Sequence, residues 1–225
     1  MSRAIARTLT PAVLLLVVPC LAAVALAAAA EPALEAADGL PPGLPDSLSA
    51  ALAQPGHRVT RDGGVLAELW VRREPPPVGG VNEGALGVEF GALASSVLVG
   101  VVHFPETWID YRDTELPPGV YTMRYWVQPA DGDHMGVSQY RDFLLLSPAA
   151  DDGDAEAVFE QEPLLELSQK ASGRVHPAVI ALFPVYQEPA GGAALVHNDL
   201  DQLMLAVEGP DRTYGFVLEG HGELP

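Results

Sequence analysis

Asp131-Gly132-Asp133-His134 puts two carboxylates and an imidazole within four residues. Carboxylate oxygens suit calcium, and an imidazole nitrogen suits zinc. Counted from Asp131, a helix-loop-helix calcium site asks for oxygen ligands at positions 1, 3, 5 and 12 and for glycine at 6. Asp133, Gly136 and Asp142 fall on positions 3, 6 and 12, but position 5 is Met135, whose thioether is no hard ligand. The match is therefore partial. A less regular calcium or zinc site, binding or hydrolytic, on Asp131, Asp133, His134 and Asp142 is the sharper expectation. The plainer one is a strand connection over residues 129–139, in which Asp-Gly supplies the turn and His134 meets solvent or backbone. The plainer one leads, so no cofactor is expected.

Other chemistry is less well supported. His57, His103, His176, His197 and His221 complete no HExxH or His-Xaa-Xaa-Xaa-His zinc pattern, although strand-borne and loop-borne imidazoles can converge in a β-fold. There is no Gly-Xaa-Ser-Xaa-Gly elbow, no Ser-Xaa-Xaa-Lys pair and no phosphate-cradling glycine loop. With 30 acids, a glycosidase-like carboxylate pair is non-specific. No catalytic residue is named, and a non-enzymatic protein is expected. Tyr-Arg-Asp occurs at residues 111–113 and 140–142, where a strand would turn Arg away from Tyr and Asp. Arg141, near the Asp131 loop, and Trp126 are the binding candidates. Trp70, Trp108 and Trp126 also raise carbohydrate stacking, although packing is the commoner fate of tryptophan in a sandwich.

The elements that must position these groups read as strands. Tyr121, Met123, Tyr125 and Val127 alternate with Thr122, Arg124, Trp126 and Gln128, giving one face of large apolar side chains. Residues 143–146, Phe-Leu-Leu-Leu, form a continuous apolar run, which predicts a central strand covered on both sides. Further strands are expected over residues 94–104, 107–111, 176–186, 203–207 and 214–218, with Gly100 a bulge or crossing point. Asp62-Gly63-Gly64 predicts a hairpin turn. A short helix is expected at 163–171, opened by Pro163 and stopped by Gly173, after an acidic loop at 151–156.

Charge and the first thirty residues bound the setting. The formal net charge is −18, and Lys170 is the only lysine beside eleven arginines. That balance excludes nucleic acid as an expected partner, because phosphate neutralisation by cations supplies most such affinity. Arg3 and Arg7 precede an apolar run over 11–30 that ends in Ala28-Ala29-Ala30, the pattern of a secretory signal peptide. Cleavage there would leave 30 acids against 10 bases, and would remove Cys20, the one cysteine. A retained membrane anchor is the competing reading. Pro19 before Cys20 argues against lipidation.

The expectation is an exported, periplasmic or extracellular all-β protein. It comprises a signal peptide at 1–30, a Pro/Ala/Gly-rich tether with a possible short helix at 31–57, and one β-sandwich domain at 58–225. The topology, jelly-roll or immunoglobulin/transthyretin-like, stays open. The stretch 116–148, from LPPGVYTMRYW through DGDHMG to RDFLLLSP, resembles exported bacterial β-sandwich proteins to which no activity is attached. Pro118-Gly119-Val120-Tyr121 is similar to the turn-to-strand junction of transthyretin-like and carboxypeptidase-regulatory-like sandwiches. These resemblances imply geometry and carry no site residues. The expected partner is a cell-envelope component or a small ligand, with the membrane met only through an uncleaved N-terminal segment.

Overall fold

Alternating side chains organise the protein seen in the computed structural model, which describes residues 31–222 except 81, 133, 135 and 221. In the first half, strands β1 (Ala33–Ala37), β2 (Gly56–Arg61), β3 (Gly64–Val71) and β4 (Leu98–Phe104) are joined by helix α1 (Asp46–Ala51) and a long loop. Short strands β5 (Trp108–Ile109) and β6 (Glu115–Leu116) pair with each other, and β7 (Gly119–Val127) and β8 (Asp142–Pro148) follow. After helix α2 (Gln161–Ser172) come β9 (Val179–Pro184), β10 (Ala193–His197), β11 (Leu203–Glu208) and β12 (Thr213–Glu219).

Ten of these strands form one antiparallel sheet in the order β1-β2-β3-β4-β7-β8-β9-β12-β11-β10. All ten contribute to a single inner core, from Leu34 of β1 and Val59 of β2 to Leu205 of β11 and Leu195 of β10. The sheet is therefore folded over one apolar filling, its two halves facing each other as the layers of a sandwich, and β1 and β10 approach each other. Trp108 fastens the halves at one end: it stacks on Phe104 at 4.4 Å and its indole donates to the Leu218 carbonyl at 2.9 Å. Arg61 and Glu219 make an ion pair between β2 and β12.

The expected β-fold is present, with its particulars. Tyr121, Met123, Tyr125 and Val127 all enter the inner core, while Trp126 faces outward. The run 143–146 lies on β8, sixth in the sheet, with Leu144 and Leu146 inside and Phe143 and Leu145 in an outer cluster under α2. Asp62 and Gly63 take positive φ, 51° and 81°, as the two-residue hairpin turn requires. At Gly100 the β4–β7 register shifts, and a Cβ there would collide with the Trp70 carbonyl oxygen. Gly173, left-handed at φ 65°, closes α2.

The structure differs at the segment 31–57, read above as a tether. It is folded onto the domain. Strand β1 pairs with β2 from Ala33↔Thr60 to Ala37↔Gly56, and Leu34 packs on the inner core. The short helix is present as α1, with Leu48 fully buried. Together with Leu52 and Ala37 it covers Trp70 on the outer face of β3, whose indole N–H donates to the Gly39 carbonyl at 2.9 Å. Apolar cover for a tryptophan outweighs the local Pro/Gly composition. The signal-peptide reading of residues 1–30 lies outside the described residues. Among the described residues no helix is long and apolar enough to cross a membrane.

Candidate functional site: a cleft beneath the outer helix

The fold first decides what becomes of the sequence candidates. Residues 129–139 connect β7 to β8, two strands, as the plainer reading expects. Asp131 and His134 do meet: the imidazole Nδ1 lies 2.6 Å from the carboxylate, at the surface. Asp133 lies outside the described residues. The structure does not bring Asp142 to them. Its position on β8 turns the side chain into the inner core, where it is fully buried. There it accepts from the Glu89 and Phe90 amides at 2.8 and 3.1 Å and from the Tyr125 hydroxyl at 2.6 Å. The parity of the strand, with 142, 144 and 146 on one side, overrides the loop spacing. Among the described residues no group of three His, Cys, Asp or Glu side chains converges.

Arg141 is a clamp. Its Nε and Nη2 donate to the Gln128 carbonyl at 2.9 and 2.7 Å, and Nη1 reaches the Leu86 carbonyl at 3.3 Å. Its guanidinium is thus engaged by backbone carbonyls, and Arg141 does not line the cleft described below. His103 is likewise taken, by Glu68 of the neighbouring strand at 2.9 Å, which also pairs with Arg58 at 2.7 Å. Trp70 and Trp108 are buried packing residues, leaving Trp126 as the partly exposed indole.

Trp126 leads to the site that spacing did not reveal. Helix α2 lies on the outer face of β8 and presents two adjacent stripes. Leu164, Ser168 and Ala171 face the sheet and are buried, with the Ser168 hydroxyl donating to the Ala178 carbonyl at 2.9 Å. Gln161, Leu165 and Gln169, four residues apart and so on one stripe, overhang a cleft of about 500 Å³. Its floor is Trp126, Phe143, Leu145 and Val179. Tyr111, Val137, Val175 and Pro177 also line it. The polar groups sit among Arg112, Gln128, His134, His176 and the two helix glutamines. Among the described residues none that lines it is Asp or Glu.

Two titratable groups shape this wall. Asp110 accepts from the Arg112, Thr114 and Val179 amides at 2.9, 2.8 and 3.3 Å. Burial nevertheless pushes its carboxyl above the ordinary aspartate range. Burial also lowers the His176 imidazole, and that of His57 on β2. Below the ordinary imidazole value of 6.5 the unfolded chain takes up these protons before the folded protein does. Stability therefore falls as pH drops from 6.5 through the two depressed values. Asp110 acts oppositely, in the window just above 3.8. We expect the Tm of the double variant His57→Gln/His176→Gln to change less between about pH 7 and 5 than that of the parent. Equal slopes would refute these assignments.

The cleft is assembled from β7, β8, the start of β9, α2 and three loops, so no local signal announced it. The second apolar position on α2, Leu165 beside the buried Leu164, was the one available hint. A floor of outward-facing aromatic and aliphatic side chains, roofed by a helix and edged by a few polar groups, has the make-up and size of a small-molecule site. Comparison with family models, curated proteins and solved structures yields no match to this chain.

Proposed function

We propose that this is an exported, non-enzymatic binding protein that holds a small apolar molecule in the cleft under α2. The observation that carries the reading is the cleft itself, about 500 Å³ floored by Trp126, Phe143, Leu145 and Val179. Burying a ligand there removes apolar surface of both partners from water, at about 25 cal/mol per Å² before ordering costs. Trp126 offers a flat face to the occupant. A carbohydrate is less well served, since its hydroxyls would meet mostly carbon. The leader-like sequence of residues 1–30 supports export to the cell envelope.

Fluorescence of N-phenyl-1-naphthylamine, a neutral apolar probe, tests the cleft. We expect saturable enhancement at one site and a loss of at least about tenfold in affinity for Leu165→Arg, which puts a charge under the roof, with Tm held within a few degrees. A parent protein that gives no saturable signal, or a Leu165→Arg variant that binds as the parent does, would end this reading.

A further inference from the structure

The charged side chain that lines the cleft is a cation, while the nearby acids Asp131 and Asp110 are engaged by the His134 imidazole and by backbone amides. The chain carries 30 acids and 12 bases, yet among the described residues no acid lines this cleft. The arginines make the same point. Seven of the nine described guanidinium groups are engaged. Arg58, Arg61, Arg72 and Arg212 pair with Glu68, Glu219, Glu156 and Asp211, and Arg124 pairs with Asp152. Arg73 and Arg141 donate to backbone carbonyls. The other two are Arg112 and Arg174, both exposed, and neither guanidinium has a carboxylate or carbonyl partner among the described residues. Arg112 lines the mouth, and Arg174 immediately precedes Val175 and His176, which line it too.

Asp110 fixes the backbone turn that carries Arg112, accepting from the Arg112 and Thr114 amides. A cation at the lip of an apolar cleft, on a surface of opposite overall sign, favours an anion locally and matches an oxyanion in particular.

We infer that the cleft takes an anionic amphiphile of the fatty-acid type, its alkyl chain against Trp126, Leu145 and Leu165 and its carboxylate at Arg112. This rests on the binding reading above and adds the chemical class of the ligand. Arg174 adds to the attraction from the rim. The neutral atoms of the chain provide most of the affinity, and the guanidinium provides the choice among head groups.

The test compares dodecanoate, dodecanol and dodecyltrimethylammonium as competitors of N-phenyl-1-naphthylamine on the full domain. Dodecanoate is expected to bind at least about tenfold more tightly than dodecanol, and the cation more weakly than either. Arg112→Gln is expected to remove most of the advantage of dodecanoate over dodecanol. Added salt should weaken dodecanoate alone. If the probe binds but the three chains compete equally, or if Arg112→Gln weakens all three alike, the head-group assignment fails while the cleft stands. Preference for the ammonium would overturn it as well. If no probe binds the parent protein, both readings fall.

Discussion

Arg124→Ala should cost about 4 kcal/mol of stability, the range for removing one partner of a buried ion pair. Arg124 and Asp152 are both fully buried as side chains. Nε and Nη2 of Arg124 meet the two oxygens of Asp152 at 2.6 and 2.7 Å, a bidentate contact. The same guanidinium donates to the carbonyls of Ser96, Asp154 and Ala157 at 2.7 to 2.8 Å and lies 4.7 Å from the centre of the Phe159 ring. Thr122 adds a hydroxyl to Asp152 at 2.6 Å. This cation therefore fixes the acidic loop 151–157 on the outer face of β7, and that loop leads directly into α2. Truncation takes the guanidinium from three carbonyls and leaves the buried Asp152 carboxylate with the Thr122 hydroxyl and no cation. In urea unfolding, Arg124→Ala and Asp152→Ala should each shift the midpoint strongly. The double variant should cost at least about 2 kcal/mol less than their sum, because neither then strands the other's charge. A single-variant cost below about 1 kcal/mol, or simple additivity, would show that this network does not hold the loop.

Asp142→Ala should be the next most damaging change, at about 3 kcal/mol, since it deprives two backbone amides and a buried phenol of their acceptor. Its carboxylate ties the loop before β4 to the start of β8 through Glu89 and Phe90, and Phe90 in turn stacks on Tyr214 at 5.8 Å. Burial and the adjacent carboxylate raise the Tyr125 phenol far above its ordinary value, so it remains a donor throughout the accessible pH range. Tyr125→Phe removes only that donor and should cost about 1 kcal/mol. Hydrogen exchange should quicken at the Phe90 amide in Asp142→Ala and little in Tyr125→Phe. Both costs should be the same in calcium as in chelator. A stability loss for Asp142→Ala that appears only with calcium present would restore Asp142 to a cation site.

Sequence patterning reached as far as side-chain parity reaches. The two-residue period at 121–127 gave the inner face of β7, and the unbroken run at 143–146 gave a strand covered on both sides, because burial on each side leaves a direct mark on residue type. Parity did not tell what covers an outer face. Arg124 alternates with Met123 and Tyr125 and so resembles a solvated residue, until the loop 151–157 folds over it. Strand β1, Ala-Leu-Glu-Ala-Ala, has the composition of a helix, and its pairing with β2 overrides that preference. The spacing from Asp131 to Asp142 suggested one loop, yet strand geometry directs Asp142 into the core. The cleft was illegible for a different reason: its floor and mouth come from residues 111 to 179, brought together only by the sheet order and by the way α2 lies across β8.

The approach of β1 to β10 has a consequence for behaviour among many copies. End strands of an open sheet carry unsatisfied backbone donors and acceptors that recruit strands from other molecules. Here β1 and β10 approach each other, so each edge strand partly covers the other. Loss of the first few residues of β1 would uncover β2, and strand exchange between neighbouring molecules would become the natural route to self-association.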